Sequence, residues 1–149
     1  LGVTMAHGVL LRGEPGGREW LILALLATFT TDTSAFAVGR FFGRHRMAPR
    51  VSPGKTWEGA VGGLVGGVAA AVALSVLLGV PVALWRLVAL GAGLTLAAQL
   101  GDLAESRLKR LAGVKDAGRI LPGHGGLLDR MDSLALTLPL AYYAIGAWT

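Results

Sequence analysis

The stretch GAVGGLVGGVAAAVALSVLLGVPVALW, residues 59–85, contains no charged residue. About 20 consecutive apolar residues suffice to cross the hydrocarbon of a bilayer, so this run predicts a membrane-spanning helix. Gly59, Gly62, Gly63, Gly66 and Gly67 recur at i+3 and i+4. A face of small residues lets another helix backbone approach closely, and helix packing is the expected role of this stripe. Gly79-Val80-Pro81 turns the chain, and Trp85 with Arg86 reads as an anchor at the membrane interface.

The rest of the chain agrees with this class. Hydrophobic residues make up 53% of the 149 residues, charged residues only 15%, and the mean hydropathy is +0.59. There is no cysteine, which excludes a disulfide framework and thiol chemistry. The net charge of +5 sits in loops between apolar runs, which points to an anionic leaflet and not to nucleic acid. The expected fold is all-α: a polytopic integral membrane helix bundle, one domain over residues 1–149, whose polar cytoplasmic loops form the site. The expected spans are 19–42, 57–79, 86–111 and 127–148. Residues 1–11 read as the tail of a helix, closed by the turn signal Arg12-Gly13-Glu14-Pro15-Gly16-Gly17.

Upstream of the charge-free run, the first span carries Asp32 at membrane depth. An ionisable residue there costs several kcal/mol unless it is paired, hydrated or metal-bound; it either caps a broken helix or serves the chemistry. Residues 39–55 are basic (Arg40, Arg44, His45, Arg46, Arg50, Lys55) with no acid. Pro49 and Pro53 bar a regular helix across them, so this segment reads as a loop. The next helix is expected to start at Ser52-Pro53-Gly54-Lys55-Thr56-Trp57-Glu58.

Downstream, the third span runs on past Gln99 into Gly101–Asp132, a concentrated polar segment. It holds Asp102, Glu105, Asp116, Asp129 and Asp132 beside Arg107, Lys109, Arg110, Lys115, Arg119 and Arg130. Asp102, Ser106 and Lys109 are spaced i, i+4, i+7 and share one helix face. Asp129, Asp132 and Ser133 open the last span on one face, where acids suit a helix N-terminus. The two basic segments carry eleven Lys/Arg against Arg12, Arg18 and Arg86 on the other side, which orients the polar segment to the cytoplasm.

Carboxylates gathered from separate helix ends suit a hard divalent cation, and Mg²⁺ takes a few carboxylates plus water and substrate phosphate. One His and no Cys in the segment exclude a zinc cage. Lys109, Arg110, Lys115 and Arg119 would neutralise phosphates, and Gly118, Gly123, Gly125 and Gly126 let backbone N–H groups approach an anion. Together these point to metal-assisted phosphoryl or nucleotidyl transfer. Two look-alikes fail. Gly54-Lys55-Thr56 would end a P-loop, but Pro49 stands where that motif needs Gly and no strand is expected before it. Asp129-x-x-Asp132 lacks the longer pattern of the CDP-alcohol phosphotransferases.

The run Ser106-x₂-Lys109-Arg110-x₄-Lys115-Asp116-x₅-Pro122-Gly123-His124-Gly125-Gly126-x₂-Asp129-Arg130-x-Asp132 resembles the signature of the phosphatidate cytidylyltransferases, also called CDP-diacylglycerol synthases. Asp32-x-Ser34-Ala35-Phe36-x₂-Gly39, Ser52-Pro53-x-Lys55-Thr56-x-Glu58-Gly59 and Gly101-Asp102-Leu103-x-Glu105-Ser106 are similar to further blocks of that family. The resemblance implies that CTP and phosphatidate from the bilayer give CDP-diacylglycerol and pyrophosphate, with Mg²⁺ alone or with a second cation. It implies Asp102 and Asp129 as principal metal ligands, and Asp132 and Asp32 as outer ligands or as groups that orient Lys and Arg. Lys109, Arg110 and Lys115 would hold the triphosphate or the lipid phosphate, with Gly123, Gly125, Gly126 and Arg130 in the same binding set. His124 either donates to phosphate or orders its loop. Lys55 either binds substrate or pairs with Glu58 to lock its loop. Asp116 is either a local ion-pair partner of Lys115 or a ligand, and Ser34 and Ser106 either face the site or satisfy helix backbone. Since Leu1 is not Met and that family has further N-terminal helices, the chain is expected to be the C-terminal part of a longer protein of a bacterial plasma (inner) membrane. The glycine-bearing helix could also serve a homodimer interface. A CTP-dependent polyprenol or phytol kinase, or a CDP-archaeol synthase, would share such a site. A cation-transporter fragment would explain Asp32 but neither the PGHGG loop nor the Lys-Arg cluster, and a purely structural module would explain only the glycines.

Overall fold

A computed structural model describes residues 2–49, 51–113 and 133–148. Among these are five helices: α1 (Gly2–Gly13), α2 (Gly17–Phe42), α3 (Trp57–Leu77), α4 (Leu84–Leu111) and α5 (Leu134–Gly146). Two short strands, β1 (Arg46–Ala48) and β2 (Ser52–Thr56), form an antiparallel pair between α2 and α3. Helices α2, α3 and α4 are each long and apolar enough to cross a membrane, and the architecture is an all-α membrane bundle. The described part of the last expected span is α5; residues 127–132 lie outside the described residues.

Short connections make the helices antiparallel. Between α3 and α4 the chain reverses at Gly79, whose φ of 65° is a left-handed conformation that glycine adopts without a Cβ clash. One end of the bundle therefore carries the 14–16 and 78–83 turns. The other end carries the hairpin, the end of α4 and the start of α5.

The glycine stripe is the packing surface expected of it. Gly59, Gly63 and Gly67 are buried on α3, and they face α2. A Cβ at Gly59 would meet the Ala35 carbonyl at 2.7 Å, and one at Gly62 would meet Val38 at 2.5 Å. At Gly67 a Cβ would collide with the Thr31 and Thr95 hydroxyls. Those two hydroxyls are 3.1 Å apart and buried. Thr31 donates its one proton to the Ala27 carbonyl at 2.9 Å, so Thr95 is the donor between them. This contact joins α2 to α4 through the gap that Gly67 leaves.

The 39–55 segment corrects the expectation of a loop. With helix barred by Pro49 and Pro53, the backbone forms a hairpin with a register shift between Arg46 and Ala48. Pro53 has no N–H to donate, which a two-stranded ribbon tolerates because each strand has a free edge. Its carbonyl accepts from Arg46 Nη1 at 2.6 Å. Helix α3 accordingly starts at Trp57, near the end of the Ser52–Glu58 start signal. Thr56 is its N-cap, and its hydroxyl accepts from the Gly59 N–H at 3.1 Å.

Filling the α2–α3 contact should be costly. Gly67→Leu should destabilise the bundle by about 1–3 kcal/mol, the usual range for overpacking, in thermal unfolding in detergent. Val65→Leu, on the exposed face of α3, should stay within about 0.5 kcal/mol of wild type.

Candidate functional site

A cavity of about 580 Å³ opens where α2, the hairpin, α3 and α4 meet, with Ser133 before α5 at its edge. Asp32, Gly39 and Arg40 line it from α2; Ser52, Gly54, Lys55 and Thr56 from β2; Gln99 and Asp102 from α4. Its volume lies within the range of small-molecule sites.

The walls follow from local sequence. α4 continues beyond its apolar part without a break, so Asp102 stands at the cavity on the same face as Gln99, one turn earlier. Gln99 Nε2 donates to the Ala60 carbonyl at 3.0 Å, tying α4 to the first turn of α3. On β2 the chain is extended and Lys55 reaches across to α4. Lys55 Nζ is 2.6 Å from Asp102 Oδ2, with 19% of the lysine side chain exposed. Ser106 Oγ donates to the other oxygen, Oδ1, at 3.4 Å. Both carboxylate oxygens of Asp102 thus have partners.

Of the two alternatives for Lys55, the pairing with Glu58 is not what forms. Glu58 turns to His45: the His45 N–H donates to both carboxylate oxygens at 3.2 Å, and His45 Nδ1 lies 2.6 Å from Oε1. The Trp57 N–H donates to the His45 carbonyl at 2.9 Å. The reason is geometric. At the second position of α3, Glu58 meets the chain entering β1, whereas Lys55, still on the strand, points to the cavity. The loop is locked as expected, but by His45, leaving Lys55 to the acid on α4.

The Lys-Arg cluster is used differently at its two described members. Lys109 Nζ lies 3.2 Å from Glu105 Oε1, one turn back on α4, and this carboxylate is only 7% exposed. Arg110 Nε donates to the Val51 carbonyl at 3.4 Å, so the end of α4 leans on the hairpin. Neither lines the cavity. The sequence alone assigned no role at the site to Gln99 or Arg40; for Gln99 the available signal was its place three residues before Asp102 on an apolar helix. Asp129, Asp132, His124, Lys115, Asp116, Gly123, Gly125, Gly126 and Arg130 lie outside the described residues.

Among the described residues no group of three or more His, Asp or Glu could hold a metal ion. Asp32 and Asp102 do line one cavity, and an all-oxygen set with few carboxylates is the kind that Mg²⁺ shares with water and phosphate.

The model of the cytidylyltransferase family matches residues 2–148. The chain belongs to this family. It is 46% identical over 124 residues to a protein of Staphylococcus saprophyticus named phosphatidate cytidylyltransferase, which covers 83% of the chain and 48% of that relative. Proteins of the same name from Staphylococcus haemolyticus and Staphylococcus aureus are each 44% identical over the same shares. The chain spans about half the length of these curated relatives.

The His45–Glu58 contact should hold the hairpin on α3. In Glu58→Ala, the backbone amides of His45 and Trp57 should exchange with deuterium faster than in wild type. The amide of Leu94, in the bundle core, should exchange at an unchanged rate.

Proposed function

We propose that the protein of which this chain forms part transfers a cytidylyl group from CTP to phosphatidate, giving CDP-diacylglycerol and pyrophosphate. The observation that carries this reading is the convergence of Asp32, Lys55 and Asp102 on one cavity where membrane-spanning helices end. Such a site is open to a water-soluble nucleotide and lies beside the bilayer that would deliver the lipid. Membership of the cytidylyltransferase family and the names of the relatives support it.

In the proposed reaction a phosphatidate oxygen attacks the α-phosphorus of CTP. A new P–O bond forms, the bond to the β-phosphate bridge breaks, and the electron pair leaves with pyrophosphate. The nucleophile is already anionic at neutral pH, so no strong base is needed, and the work is positioning and charge neutralisation. Asp102 and Asp129 would be the principal ligands of Mg²⁺, with Asp32 and Asp132 supporting. When bound, the ion would offset charge developing on the phosphates. Lys55, with Lys115 and Arg130, would meet phosphate oxygens. Ser106 orients Asp102. Lys109 and Arg110 act from the end of α4, Lys109 beside Glu105 and Arg110 on the hairpin. His124 would donate to phosphate from the glycine loop of Gly123, Gly125 and Gly126. We place this end of the bundle in the cytoplasm, where CTP is available, because the basic hairpin and the end of α4 lie there.

Asp102→Asn and Asp129→Asn in the intact protein should each lower CTP-dependent CDP-lipid formation by at least about 100-fold, the scale of losing a group that stabilises transition-state charge. Membrane insertion should be unchanged. Labelled CTP with a panel of phosphatidate, polyprenol and archaetidyl acceptors reads the reaction; near-normal turnover by either variant removes that residue from the ligand set, and preference for another acceptor overturns the substrate.

A further inference from the structure

We propose that Lys55 is an exchangeable counter-ion of Asp102, which occupies the carboxylate until a divalent cation arrives and then passes to the phosphates of the nucleotide. This rests on the functional reading above and assigns the order of charges within that site.

Asp102 stands on a helix whose other cavity-facing neighbour is the neutral Gln99, and among the described residues the charged groups that share its cavity are Asp32, Arg40 and Lys55, set among small, apolar and hydroxyl-bearing residues. An uncompensated carboxylate in such surroundings is costly. The hairpin supplies the compensation: Lys55 Nζ lies 2.6 Å from Oδ2, at ion-pair distance. Ser106 holds Oδ1 only at 3.4 Å. A cation that binds Asp102 directly therefore competes with the ammonium for the same negative charge. Lysine suits an exchange, since its compact ammonium rides on a flexible four-carbon stem. Lys55 has room to move, since it lines a cavity of about 580 Å³. The hairpin itself does not need to shift, because the His45–Glu58 contact anchors its base. Once displaced, the ammonium remains on the cavity wall, where the polyphosphate that accompanies the cation offers new acceptors. A monovalent ammonium leaves the carboxylate as a divalent ion enters, and the polyphosphate offsets the added positive charge.

The exchange makes two predictions of opposite sign for one substitution. In the intact protein in phosphatidate-free nanodiscs, Lys55→Met should bind Mn²⁺ alone more tightly, by about tenfold, because a competing unit charge is gone. Electron paramagnetic resonance of free Mn²⁺ reads this without turnover. The same variant should bind preformed Mn·CTP more weakly than wild type by calorimetry, because the released ammonium no longer meets phosphate. Lys55→Arg, which keeps the charge, should change both affinities less. Asp102→Asn should lose the Mn²⁺ effect of Lys55→Met when the two are combined. Thermal unfolding checks each fold, and Lys55→Gln replaces Lys55→Met if the latter unfolds. Weaker or unchanged Mn²⁺ binding overturns the proposal, as does unchanged Mn·CTP binding. A lysine that merely props Asp102 in place would weaken both. If the opposite shifts are found but no CDP-lipid is formed by wild type, the counter-ion role stands and the substrate assignment falls. Turnover without the shifts gives the reverse.

Discussion

The close approach of α2 and α3 is the contact on which the rest depends. It exists because α3 presents glycine where α2 presents Ala35, Val38, Ser34 and Thr31. Lipid tails are as apolar as leucine, so helices in a bilayer gain little from burying oil and must associate through close packing and hydrogen bonds. The glycine face supplies the first. The Thr31–Thr95 contact, reached through the space at Gly67, supplies the second and brings α4 into register with α2. Gln99, one turn further along from Thr95, then ties α4 to α3 at Ala60. The next turn carries Asp102. The cavity thus inherits its position from a ladder of small and polar residues, with each rung fixing the level of the next.

Polar groups at the top of this ladder are arranged by a different logic. Near water, an ion pair alone contributes little, and its value is mainly geometric. Glu58 captures His45 through backbone and ring together, so the hairpin cannot pivot on α3. Arg110 steadies its tip from α4. The strand β2 is then a fixed platform from which Lys55 reaches Asp102. Three described acids on this end each have a distinct base: Glu58 with His45, Asp102 with Lys55, Glu105 with Lys109. Spacing along the chain would have paired Glu58 with Lys55, three residues away. The change from strand to helix at Trp57 sends the two side chains in different directions.

That difference marks the boundary of what was legible in the sequence. The three long apolar helices were legible because hydrocarbon thickness imposes a length and an apolar composition that little else produces. The glycine face was legible because helical periodicity is local. The grouping of Asp32, the Ser52–Gly59 turn and Asp102 could be expected, because each stands where an apolar run meets a polar one and antiparallel helices bring such ends together. The hairpin was not, since prolines say what a backbone cannot do and leave open what it does instead. Nor was the choice of partner for Lys55, which depends on side-chain direction across 47 residues of chain.

The proposed nucleotidyl transfer, between a soluble and a membrane-bound substrate, sets a demand that this arrangement would meet. The triphosphate must be neutralised to approach an anionic lipid phosphate, yet the neutralising groups must not collapse on one another before it arrives. Lysines and carboxylates placed in the same small cavity will pair, and the 2.6 Å contact of Lys55 with Asp102 is that pairing. Its cost to function is small if the pair is strong enough to keep the walls in place and weak enough to open for a divalent ion. A cavity edge that retains some solvent provides this balance: screening keeps the pair from becoming a permanent buried bridge, while the anchored hairpin keeps the ammonium within reach of whatever replaces it. In the proposed reaction the membrane surface is where the substrates would meet and also the dielectric setting in which such an exchange is feasible.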